Sequence, residues 1–154
     1  MTGTPTGAAD AAGTATPPEP ALEIVLVGAH MAGLPLNREI TALGGRFVRA
    51  VSTAPCYRLH ALPGGPPLRP GLLRVAEGEG AAIAVEVWTV PSARIGALLA
   101  AIPAPLGLGT LVLADGTTPR GFLAEAEGVR GAQDISRFGG WRAFLGRQPA
   151  QHPG

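Results

Sequence analysis

Lysine is absent: all twelve basic side chains are arginine. A Schiff base, a lysine general base and a P-loop lysine are therefore excluded. Cysteine occurs once, at Cys56, so the chain can form neither an internal disulfide nor a thiolate metal cluster. Cys56 follows a proline and has no basic motif near it in sequence, which argues against an activated nucleophile. His30, His60 and His152 are too widely spaced for a zinc pattern, and no metal or other cofactor is expected. A strong charge balance is also lacking. The net charge of +1 gives no electrostatic footing for nucleic acid or an anionic membrane. The N-terminal stretch has neither the basic start and apolar centre of a signal peptide nor the arginines of a transit peptide. The expected setting is reducing and cytoplasmic.

One uncharged run, Ile95 to Ala114, is long enough to cross a bilayer. Pro103, Pro105, Gly107 and Gly109 interrupt it, so a helix, a turn and a strand account for it better than one spanning helix. The 154 residues suffice for one domain with a real core. Residues 1–20 are mostly Thr, Gly, Ala and Pro, too poor in large apolar groups to offset their ordering entropy, and are expected to form a disordered leader. Residues 148–154 are expected to form a flexible tail, which leaves 21–147 as the folded domain.

What is present begins with a compact β-branched strand, Leu22 to Val27. It ends in Gly28-Ala29-His30-Met31-Ala32-Gly33, a loop whose backbone can approach a ligand and which carries one titratable side chain. Pro35 suits the first turn of a helix to Leu43, stopped by Gly44-Gly45. Arg46 to Thr53 and Tyr57 to Leu62 alternate as strands, separated at Ala54-Pro55. A rigid Pro-Gly loop, 63–71, precedes a short strand, Leu72 to Val75. Ala82 to Val90 reads as the central strand, followed by a helix from Pro91-Ser92 to about Ile102. Leu108–Leu113 and Gly121–Ala124 form a hairpin around Asp115-Gly116. Trp141, Phe144 and Leu145 mark a last short helix. Strands follow one another with few helices between. The expected class is therefore α+β: a small, mostly antiparallel β-barrel with peripheral helices, not a doubly wound sheet.

Several motifs in order carry a family resemblance. They are Val27-Gly28-Ala29-His30-Met31-Ala32-Gly33-Leu34-Pro35-Leu36-Asn37, Gly44-Gly45-Arg46-Phe47, Ala54-Pro55-Cys56-Tyr57-Arg58-Leu59, Arg69-Pro70-Gly71-Leu72, Glu86-Val87-Trp88, and Gly131-Ala132-Gln133-Asp134-Ile135-Ser136 running on to Trp141-Arg142. Over about Ile24 to Leu145 the chain resembles the C-terminal domain of allophanate hydrolases, and it is expected to stand alone, without the amidase half. That domain in turn resembles the γ-glutamylcyclotransferase-like fold. In that larger group the loop after the first strand binds a substrate carboxylate or carbonyl through backbone amides. A catalytic Glu is expected after the helix that follows the central strand. This chain has Ile102-Pro103-Ala104-Pro105-Leu106-Gly107 there, with no acid, which argues against cyclotransferase activity. The resemblance implies removal of carbon dioxide from N-carboxyurea to leave urea, with His30 as the catalytic acid/base. It also implies that the chain is no amidase by itself, since the Ser-Ser-Lys arrangement of the amidase half needs a lysine.

Around His30, the expected substrate contacts are Gly28, Ala29 and Met31 in the loop, Asn37 in the first helical turn, Tyr57, Arg58, Arg69, Gly71 and Arg74. Each has a plainer alternative: His30 as a loop histidine bonded to a carbonyl, Asn37 as an ordinary helix residue, Tyr57 as core, the arginines as solvated charges. Glu86 shares a face with Trp88. It is either a solvent-side charge or, facing inward, a buried acid with a raised pKa and a proton partner; Glu125 is similarly ambiguous. His60 reads as a half-buried strand residue. The expected partners are a small carboxylate substrate and a separately encoded amidase. The alternative to catalysis is a module that binds a small carboxylate, or docks onto an amidase, without turnover.

Overall fold

The computed structural model describes residues 19–147. The expected leader lies outside these apart from Glu19 and Pro20, and the expected tail lies wholly outside. The elements run β1 (Ala21–Leu26), α1 (Asn37–Thr41), β2 (Arg46–Ser52), β3 (Tyr57–Ala61), β4 (Pro70–Arg74), β5 (Ala84–Pro91), α2 (Ile95–Ala101), β6 (Leu106–Thr110), β7 (Arg120–Ala124), β8 (Gln133–Asp134) and α3 (Trp141–Arg147), with short 3₁₀ turns between.

A five-stranded sheet has the order β2-β5-β1-β7-β6, and a three-stranded sheet the order β4-β3-β8. Among the strands of the described residues only the β1–β7 pair is parallel. β1 lies in the middle of the larger sheet because its apolar run is buried on both faces: Ile24, Val25 and Leu26 are all 0–1% exposed. β5 beside it is likewise buried on both faces, Val85 and Val87 on one and Glu86 and Trp88 on the other. The two edges of the sheet meet just past their strands. Thr53 bridges Leu113, Ala54 N–H donates to Val112 O, and Ala114 N–H donates to Ser52 O. The curl is thus barrel-like, but its closure is this short contact and not a continuous ladder.

The uncharged run resolves into helix and strand as expected: α2 ends at Ala101, just before Pro103, and β6 begins at Leu106. Among the described residues no helix is long and apolar enough to cross a membrane. The first helix is shorter than expected. Pro35 and Leu36 lie in turns, and only Asn37–Thr41 is α-helical. β8 was not legible: it pairs only His60↔Asp134 and Ala61↔Gln133.

Candidate functional site

The loop after β1 is shaped by what passes it. A Cβ on Gly28 would lie 2.2 Å from Pro70 Cδ, so only glycine lets the end of β1 cross the start of β4. Met31 N–H donates to Gly28 O (2.9 Å), closing a turn around Ala29 and His30. Two further bonds hold it: Leu36 N–H to Ala29 O (2.9 Å) and Asn37 Nδ2 to His30 O (2.8 Å). Asn37 therefore clamps the backbone of the loop. The His30 ring stacks on Phe122 of β7, centroids 5.0 Å apart at 23°. Its Nε2 lies 3.2 Å from Glu39 Oε1.

Burial pushes the His30 imidazole below its ordinary value of 6.5; Glu39 opposes the shift and the charge of Arg69 adds to it. The shift favours the neutral ring. With Nε2–H donating to Glu39, that tautomer leaves Nδ1 as a proton acceptor.

Arg69 stands at the foot of the β3–β4 hairpin, where Leu62 N–H donates to Arg69 O (3.0 Å) and Pro70 opens β4. Its Nε is buried without a hydrogen-bond partner. An N–H left so costs about 1–3 kcal/mol; the terminal nitrogens, accessible and bonded to no described residue, are the part open to an anion. Gly28, Ala29, His30, Arg69, Leu106 and Phe122 enclose a crevice of about 20 Å³. Through Arg69 and Leu106 it adjoins a cleft of about 520 Å³ between the Pro-rich hairpin loop and residues 103–106. No acid occurs in that second wall.

Of the sequence-derived candidates, His30, Gly28, Ala29 and Arg69 come together in the crevice, with Asn37 behind it. The others lie elsewhere. Met31 is buried on the far side of the loop, in a groove with Glu86 and Trp141. Tyr57 is fully buried, and its hydroxyl accepts from Val112 N–H (2.9 Å), so it is a core residue. Arg58 is occupied by Asp134 (2.6 Å) and Glu79 O (2.9 Å). Arg74 lies over the Tyr57 ring (5.7 Å) on the exposed side. Gly71 is packed under Ala124, Leu62 and Val129 and takes no part in the crevice. Glu125 is exposed on the rim of the large cleft.

Glu86 departs from both of its readings. It is buried, not solvent-facing, and its pKa is lowered, not raised. Burial alone would raise it, but the Ala32 amide (2.9 Å), the Trp88 indole (3.0 Å) and Arg142 (2.7 Å) outweigh that. Its carboxylate anchors the far end of the His30 loop. Glu39 and Phe122, which do touch His30, were not found from sequence. Glu39 is nine residues from His30, a separation with no periodic meaning, and Phe122 arrives through the parallel β1–β7 pairing.

Solved structures share this fold, and curated proteins are similar to this chain in sequence. A γ-glutamyl cyclotransferase structure, 9% identical, covers 75% of this chain and 70% of its own at a TM-score of 0.51. That likeness shows a γ-glutamylcyclotransferase-like fold and no more. At much higher identity, a uropathogenic E. coli-specific protein matches at 37%, TM-score 0.76, over 84% of this chain and 98% of its own. Kluyveromyces lactis allophanate hydrolase matches at 36%, TM-score 0.79, over 83% of this chain and 21% of its own. Urea amidolyase from Saccharomyces cerevisiae is 37% identical over 131 residues, 83% of this chain. The chain spans about 7% of the length of the curated relatives it matches. The model of the allophanate hydrolase C-terminal domain matches residues 22–146, and the chain belongs to that family.

Proposed function

We propose that this domain serves urea and allophanate metabolism by promoting loss of carbon dioxide from N-carboxyurea or a similar small carboxylated urea. The observation that carries the reading is the pairing, in one crevice, of His30 with Arg69, whose guanidinium makes no hydrogen bond to any described residue. Arg69 and the Gly28-Ala29 backbone hold the carboxyl group. His30 Nδ1 takes up a proton from solvent and passes it to the nitrogen that bears the carboxylate. The C–N bond then breaks, its electron pair stays on nitrogen, and urea and carbon dioxide leave. The names of the relatives support this substrate class.

Purified protein should release carbon dioxide from freshly made N-carboxyurea faster than the spontaneous decay. His30→Ala, shown to be folded, should lose about a hundredfold of the gain or more, the usual scale of a general acid–base group. Equal rates with and without wild-type protein would overturn the reading. Binding without turnover has one observation in its favour, the small volume of the crevice, and the same assay decides between them.

A further inference from the structure

The two adjoining spaces together offer more room than N-carboxyurea fills. The His30 crevice, about 20 Å³, has room for little more than one water, which needs about 10–15 Å³. The cleft beside it, about 520 Å³, falls in the roughly 300–1,000 Å³ range of sites that hold much larger ligands. Its walls carry Pro63, Pro66 and Pro67 on one side and Pro103 and Pro105 on the other, and proline's fixed φ resists collapse. Its floor is already tight: a Cβ on Gly128 would lie 2.2 Å from Pro105 Cβ.

The polar groups of the cleft differ from end to end. Next to the crevice is Arg69, whose guanidinium makes no hydrogen bond to any described residue. On the exposed rim are two carboxylates. Glu127 is paired with Arg130, but among the described residues no donor reaches the carboxylate of Glu125. A donor at the inner end and a free acceptor at the outer end complement a ligand with a carboxylate at one end and N–H groups at the other.

We propose that the cleft is a second subsite, for the tail of a ureido- or amido-carboxylate longer than N-carboxyurea. The carboxylate meets Arg69, and the terminal N–H groups donate to Glu125. This rests on the reading of the crevice as a carboxylate site.

Calorimetric titration with propionate and 3-ureidopropionate separates the two ideas. Wild-type protein should bind 3-ureidopropionate about tenfold tighter than propionate or more, the scale of one hydrogen bond to a charged group. Glu125→Gln should bring that ratio towards one. Ala104→Trp, placed at an exposed position of the cleft wall, should do the same by filling the space. Equal affinity for both ligands in wild type, or a ratio kept by both variants, would overturn the second subsite while leaving the carboxylate reading in place. Failure of both ligands to bind would overturn the carboxylate reading and the subsite with it.

Discussion

His30 is governed by three neighbours that act in different senses. Burial against Phe122 favours the neutral ring, Glu39 favours the charged one, and Arg69 disfavours it. Each can be removed singly. Glu39→Gln takes away the carboxylate that supports protonation, so the His30 pKa should fall further below 6.5. Arg69→Met takes away a repelling charge, so it should rise. An NMR pH titration of the imidazole reads both, and movement of the two variants in the same direction would contradict this assignment of causes. His30 and its loop were legible in the sequence because a lone histidine between glycines after an apolar strand is a local pattern. Glu39 and Phe122 were not, because their contact with His30 depends on where α1 and β7 are carried by the fold.

At the scale of elements, Glu86 ties β5 to the His30 loop and to α3. It accepts from Ala32 N–H and Trp88 Nε1 and pairs with Arg142, which also donates to Ala32 O (2.7 Å). Glu86→Ala leaves these donors without their acceptor. It should cost about 3 kcal/mol in chemical denaturation, the scale for breaking a buried charged network. A loss under about 1 kcal/mol would mean that the network does not brace the loop.

Asp134 does a comparable job for the two-residue strand β8. Burial works against its charge, but Arg58 and Ser136 hold its carboxyl at about 2, below the ordinary 3.8. A folded-state pKa below the unfolded one stabilises in full above the unfolded value, and that contribution is lost as the pH falls from 3.8 towards 2. Asp134→Asn should therefore flatten this part of the acid-denaturation curve. A curve that keeps its slope there would place the acid sensitivity elsewhere. Strands of five or more residues were read from alternation and apolar runs. β8 is too short for a periodic signal, and Glu86 misleads because a charge on a strand looks solvent-facing until its partners, up to 56 residues away, are known.

At the scale of the whole molecule, a curled five-stranded sheet and a three-stranded sheet bring the end of β1 and the start of β4 against each other. That crossing, made possible by Gly28, sets Arg69 beside His30 although the two are far apart in sequence. The α+β class followed from the succession of strands. The parallel β1–β7 pair and the meeting of the sheet edges at Thr53 and Leu113 did not, because both depend on long-range register. Family membership places the chain among allophanate hydrolase C-terminal domains. The proposed activity then rests on whether the crevice receives a carboxylate. Saturating malonate, followed through the His30 titration by NMR, tests this most directly. A carboxylate bound on Arg69 offsets the charge that lowers the imidazole pKa, so malonate should raise the His30 pKa in wild-type protein and leave it unchanged in Arg69→Met. A His30 titration that is the same with and without malonate in wild-type protein would contradict the account.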